Sequence, residues 1–167
     1  MHMPKHTNPS QASRYPVRLR SFLEKDLPAM YALDQACFRH GISYTLDELN
    51  YFVTHPTNLA IIAESDTERC AGFCIIEKIR SRGSICGHII TIDVQPHLRR
   101  KGIGGVLMQE LGERLLEMQV ERCLLEVAVD DPGAQEFYAS RGYRVTRRLP
   151  NYYMGTLDAL VMEKELS

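Results

Sequence analysis

Three sets of side chains in this sequence have types and spacings that suit chemistry. The first is the run Arg99, Arg100, Lys101, Gly102, Ile103, Gly104 and Gly105. It lies between a β-branched apolar segment, 87–94 (GHIITIDV), and a segment in which Ile103, Leu107, Leu111, Leu115 and Met118 recur at helical spacing. A helix start carries unpaired N–H groups and a partial positive charge, which together favour an anion. Glycines let the backbone approach a ligand, and Arg and Lys surround it with charge. The pattern predicts a site for a phosphate or pyrophosphate. The second set is a pair of carboxylates. Glu126 interrupts the apolar run 123–129 (CLLEVAV), and Asp93 lies near the end of the 87–94 run. Unpaired buried carboxylates are costly, so Glu126 is salt-bridged, turned to solvent, or at work. If both carboxylates share one site, one pKa is raised and that group can act near neutrality. The third is Tyr138, whose phenol is a competent proton donor and whose ring is equally a core aromatic.

Two other glycine loops are excluded. A Walker A loop ends in Gly-Lys-Ser/Thr, whereas Val106 and Leu107 follow Gly105 here. A dinucleotide fingerprint needs a third small residue where Leu107 stands.

The elements that position these groups can be read in order. Residues 17–19 form a short strand. Asp26 is placed to cap a helix whose face carries Leu27, Met30, Leu33 and Cys37. Thr45 to Glu48 reads as a capping box for a second helix with Leu46, Leu49, Phe52 and Val53 on one face. Strands follow at 59–63, 71–78 and 87–94, then the glycine-loop helix and the strand 123–129. Asp131-Pro132 opens a helix that ends near Arg141, with Gly142 as its stop. Strands at 143–149 and 158–164, joined through 150–157, close the chain. The order β-α-α-β-β-β-α-β-α-β-β predicts one α/β domain with a mixed sheet of about seven strands and about four helices.

Lys+Arg (20) and Asp+Glu (21) nearly balance, so nothing suggests a nucleic-acid or membrane-surface partner. No apolar run approaches the ~20 residues of a membrane span. Residues 1–15 are polar, contain prolines and lack the apolar core of a signal peptide; they read as a flexible tail before a domain at 16–167. The five cysteines are odd in number and form no Cys-x-x-Cys pair, which suggests a reduced, cytoplasmic protein without a metal.

Three stretches carry a family resemblance. Arg99-x-x-Gly102-x-Gly104 resembles the acetyl-CoA signature of the GNAT superfamily of N-acetyltransferases. The stretch from Glu126 to Tyr143 is similar to the family's strand, Phe/Leu-Tyr helix and Gly-Phe/Tyr end. Pro150-Asn151-Tyr152-Tyr153, followed by Asp158 to Met162, resembles the ribosomal-protein alanine N-acetyltransferases and related protein N-terminal acetyltransferases.

The resemblance implies direct acetyl transfer from acetyl-CoA to a primary amine in a ternary complex. No cysteine here has the partner and motif of a covalent carrier. It assigns Arg99, Arg100, Lys101, Gly102, Ile103, Gly104 and Gly105 to the pyrophosphate. It assigns the backbone of Ile92, Asp93 and Val94 to the pantetheine arm and acetyl oxygen. Glu126 becomes the general base, with Asp93 as the alternative, and Tyr138 the acid for the leaving thiolate, beside the cofactor. Tyr152 and Tyr153 line the acceptor groove. Asp131 stands where the alanine enzymes place an asparagine that contacts CoA, and a carboxylate cannot donate that bond unless protonated. The segment 38–44 also departs from the aromatic Pro-Trp segment of those enzymes. The expected acceptor is the α-amine of a protein or peptide, with a small amine or lysine as the alternative, and the expected state is a monomer or dimer. A non-catalytic acyl-CoA sensor would need neither Glu126 nor Tyr138.

Overall fold

The computed structural model describes residues 13–166. Its elements are β1 (Arg18–Ser21), α1 (Leu27–Cys37), α2 (Leu46–Thr54), β2 (Leu59–Glu64), β3 (Gly72–Ser81), β4 (Ser84–Val94), α3 (Ile103–Glu117), β5 (Arg122–Ala128), α4 (Pro132–Ala139), β6 (Arg144–Tyr153) and β7 (Leu157–Glu165). One seven-stranded sheet runs β1-β2-β3-β4-β5-β7-β6. Every neighbouring pair is antiparallel except β4 and β5, which are parallel and joined through α3. This is the α/β architecture expected from the order of elements.

Strand alternation splits the core between the two faces of the sheet. Ile61, Cys74 and Ile76 face one side, with Leu107, Leu111 and Leu115 of α3 and Tyr138 of α4. Ile62, Phe73 and Ile75 face the other, with Met30 and Leu33 of α1 and Leu49 of α2. Both faces are covered by helices, so the central strands read as continuous apolar runs.

Several local expectations hold. Thr45 Oγ1 accepts from Glu48 N–H at 3.2 Å while Thr45 N–H donates to Glu48 Oε2 at 2.8 Å, completing the capping box. Asp131 Oδ1 accepts from Ala134 N–H at 3.0 Å, and Gly142 takes φ +88 past the end of α4.

Three expectations are corrected. Asp26 does not cap α1 with its side chain. Its carboxylate is buried, holds Arg20 through both oxygens at 2.7 and 2.9 Å, and accepts Leu23 N–H at 2.8 Å. The bidentate guanidinium outcompetes the helix amides for the same oxygens. The loop at 150–157 is shorter than expected: β6 stays extended to Tyr153, although its pairing with β7 lapses between Leu149 and Tyr153. Asp158 supports that stretch, accepting from Asn151 N–H at 2.9 Å and Arg148 Nε at 2.7 Å. Residues 13–15, read as part of the tail, dock on the domain, with Tyr15 packed against the core. Residues 1–12 lie outside the described residues.

Candidate active site

The parallel strands β4 and β5 pair only at Gly87↔Cys123 and His88↔Leu124. Beyond that rung they diverge, leaving Ile89 to Val94 without a neighbour on the β5 side. A bulge loosens β4 at the same place, since Ile75 and Ile76 of β3 oppose Thr91 and Ile89 and skip Ile90. The fork leaves the outward-facing β4 backbone groups, those of Ile92 and Val94, toward a cleft between the strands, whereas Asp93 pairs with Phe73 of β3. Such groups can bond an extended amide chain as another strand would, or polarise a carbonyl placed among them.

At the base of the fork sits a charge cluster. His88 Nε2 lies 2.5 Å from Glu126 Oε2, and His88 Nδ1 lies 2.9 Å from Glu77 Oε1. Glu77 and His88 are direct partners across β3 and β4. Burial opposes charge on His88, but the two carboxylates, Glu126 first, outweigh it and raise its pKa above the ordinary value. Glu126 is therefore paired, and its partner is a histidine. Its side chain remains 17% exposed.

Asp93 is in a different environment. It is 1% exposed, and its Oδ1 accepts the Thr91 hydroxyl at 2.5 Å. Its other oxygen, Oδ2, and Oδ1 of the buried Asp34 on α1 are the two buried side-chain atoms without a donor among the described residues. Burial first, and then Asp34, raise Asp93 well above the carboxylate range; burial also raises Asp34. A single proton held between the two carboxyls satisfies both orphaned oxygens and removes the repulsion of two adjacent anions. Asp34 Oδ2 accepts Tyr44 N–H at 2.7 Å, so the pair also ties the α1–α2 loop to β4.

Tyr138 of α4 is buried in the core on the α3 side of the sheet. Burial foremost, then the charge of Asp93, lifts its phenol far above the ordinary range, so it keeps its proton throughout neutral pH. Three more tyrosines belong to the candidate site. Tyr44 donates to Ile90 O at 3.2 Å, at the bulge, and Tyr152 and Tyr153 meet edge to face at 4.9 Å. Burial foremost raises all three phenols, and the charge of Glu126 adds to the rise at each.

The glycine loop closes the other end. Gly102 caps α3 with φ +89 and Arg100 has φ +62. The N–H groups from Arg100 to Gly105 donate to no backbone carbonyl among the described residues. A Cβ at Gly104 would sit 3.1 Å from the Phe137 ring, and one at Gly105 would sit 2.9 Å from Arg141 Nη2. Arg141 stacks on Phe137 with its guanidinium carbon 3.7 Å from the ring centroid. It adds a cation to the first turn of α3. Six free amides and the cations Arg99, Arg100, Lys101 and Arg141 make this cradle fit for a pyrophosphate. Asp131 caps α4 by accepting Ala134 N–H, and its carboxylate carries no donor of its own unless protonated. Among the described residues no group of three His, Cys, Asp or Glu side chains could hold a metal, and no helix is long and apolar enough to cross a membrane.

His88, Asp34, Tyr44 and Arg141 were not singled out by sequence. His88 breaks the 87–94 run much as Glu126 breaks 123–129. Tyr44 directly precedes the Thr45 cap. Asp34 lies seven residues after Leu27 and four after Met30, on the apolar stripe of α1.

A mixed sheet forked beside a glycine-capped helix defines an enzyme class that transfers acyl groups from CoA thioesters. The chain belongs to the acetyltransferase (GNAT) family, whose model matches residues 27–143. It is an acetyl-CoA-dependent N-acetyltransferase. It is 31% identical to an uncharacterized N-acetyltransferase of Methanocaldococcus jannaschii, over 88% of this chain and 90% of that one. It is 26% identical to the ribosomal protein bS18-alanine N-acetyltransferase of Salmonella typhimurium, over 85% of this chain and 93% of that one. Among solved structures it is similar to Ard1 from Thermoplasma volcanium, with TM-score 0.80 and 25% identity over 90% of this chain and 98% of that one.

Proposed function

We propose that this enzyme acetylates the N-terminal α-amine of a protein or peptide, with Glu126 as general base and Tyr138 as general acid. The observation that carries the reading is the position of Glu126: partly open, held by His88, and placed on β5 where that strand parts from β4. Acetyl-CoA supplies an activated thioester. The amides and cations of 99–105 hold its diphosphate end, and the open backbone of β4 at Ile92 and Val94 orients its arm and faces the acetyl oxygen. Glu126 removes the proton of the attacking amine through a water, and His88 fixes the carboxylate in place. Tyr138 holds a proton for the departing sulfur. Asp93 shares its proton with Asp34 and is sealed from the cleft, so it positions β4 and leaves base chemistry to Glu126.

The tyrosines of the site suit the first residues of an extended peptide, and the similarity to the bS18-alanine enzyme supports such an acceptor. Acid–base chemistry agrees. An α-amine has a pKa of ~7.7–8.0 against ~10.4 for lysine, so a carboxylate base acting through water meets the easier proton. Five free cysteines, four of them buried, fit the reducing cytoplasm.

Two measurements check this reading. Peptides beginning with Ala or Ser should be acetylated, whereas the same peptides with a blocked N-terminus and an internal Lys should not. Turnover of the blocked lysine peptides, or of a polyamine alone, would assign the enzyme to a different acceptor class. The variant Glu126→Gln should depress kcat/KM most at low pH and recover partly as pH rises, because the amine then loses its proton unaided. If Asp93→Asn shows that profile and Glu126→Gln does not, the two carboxylates exchange roles.

A further inference from the structure

The glycine loop is held from outside by a segment far away in sequence. Arg14 N–H donates to the carbonyl oxygen of Lys101 at 2.8 Å, and Ser13 Oγ lies 3.1 Å from the same oxygen. The segment is braced internally: Ser13 Oγ also reaches Tyr15 O at 2.6 Å, and Tyr15 N–H donates to Ser13 Oγ at 3.1 Å. Tyr15 anchors it. Its hydroxyl meets Thr67 Oγ1 at 2.9 Å and Ser65 Oγ at 3.3 Å in the turn after β2, and its ring packs on the core. Lys101 Nζ lies 5.5 Å from the centroid of the same ring.

The direction of that carbonyl decides what the loop can bind. In a trans peptide the C=O of one residue and the N–H of the next point opposite ways, and no peptide bond among the described residues is cis. The Arg14 N–H, which fixes Lys101 C=O toward residues 13 and 14, therefore aims Gly102 N–H to the other side. Arg100 and Gly102 are both left-handed, so the amides around Lys101 curve into a concave nest. A left-handed arginine is costly and persists only where neighbouring structure holds it.

We propose that residues 13–15 are a strap that sets the glycine loop for the pyrophosphate of acetyl-CoA, with Ser13 and Arg14 as positioning residues. The proposal rests on the reading that residues 99–105 hold that pyrophosphate. Without the strap the Lys101–Gly102 peptide can rotate, and the nest must be ordered each time the donor binds.

The test compares two acetyl donors in the full chain: acetyl-CoA, and S-acetylpantetheine, which has the thioester and arm but no pyrophosphate. Ser13→Ala combined with Arg14→Pro removes the Ser13 hydroxyl and the Arg14 N–H beside Lys101 C=O, and Tyr15→Ala removes the anchor. Each variant should raise KM for acetyl-CoA about fivefold, the order expected when the hydrogen bond that holds Lys101 C=O is lost, and leave kcat and the KM for S-acetylpantetheine unchanged. An unchanged KM for acetyl-CoA, or an equal rise for both donors, overturns the strap. A wild type that binds both donors equally overturns the pyrophosphate reading of the loop, and the strap with it.

Discussion

Gly104→Asp should abolish CoA binding while the sheet and its helices stay folded. Gly104 lies in the first turn of α3, among amides that have no backbone acceptor. An aspartate there brings a negative charge into a cradle built for one. Like charges forced together at an interface cost several kcal/mol, or roughly 10²-fold or more in affinity. Sterics act in the same direction, because the new Cβ would press on the Phe137 ring at 3.1 Å. Gly104→Ala separates the two effects, since it adds the Cβ without the charge and should weaken binding far less. Calorimetric titration of CoA, with thermal unfolding as the fold control, reads both variants. Unchanged affinity in Gly104→Asp would remove the glycine loop from the cofactor site.

The second large effect belongs to Tyr138. Tyr138→Phe keeps the ring that packs edge to face on Phe137 and Tyr143 at 5.2 and 5.9 Å, and removes only the hydroxyl. The departing thiolate then leaves without a proton donor. Loss of one general acid lowers kcat by roughly 10²-fold, and CoA affinity should stay close to wild type. The phenol is raised by burial, so no decline in kcat from its own ionisation should appear at moderately alkaline pH. A kcat near wild type, with chemistry shown to limit turnover, would leave Tyr138 as a packing residue.

The sequence and the structure agree where the signal is local. The glycine loop, the capping box at Thr45, the Asp131 cap and the order of elements follow from spacing over a few residues, and all appear in the fold. Partners across strands are a different matter. His88 and Glu126 are 38 positions apart, and they meet because β4 and β5 share a short parallel rung before parting. Nothing in a one-dimensional pattern fixes where such a rung ends. Asp26 is instructive in the same way. It stands at the right place for a cap, but Arg20 on β1 takes both its oxygens. Asp34 was visible as a carboxylate on an apolar helical stripe, yet its partner Asp93 could be found only by packing α1 on the sheet. The extended course of 150–153 was hidden because Pro150 and Asn151 carry turn signals, while the Asp158 carboxylate that supports them lies on the next strand.

The most direct test of the proposed activity uses one peptide that begins with Ala and carries both a free α-amine and an internal lysine. It is incubated with acetyl-CoA and the enzyme near neutral pH, and the acetyl group is located by fragment mass spectrometry as CoA thiol is released. The account predicts thiol release matched by acetylation of the α-amine alone, and loss of both in Glu126→Gln at the lower end of the pH range. Acetyl groups on the lysine with a bare α-amine, or undiminished α-acetylation in Glu126→Gln, would contradict it.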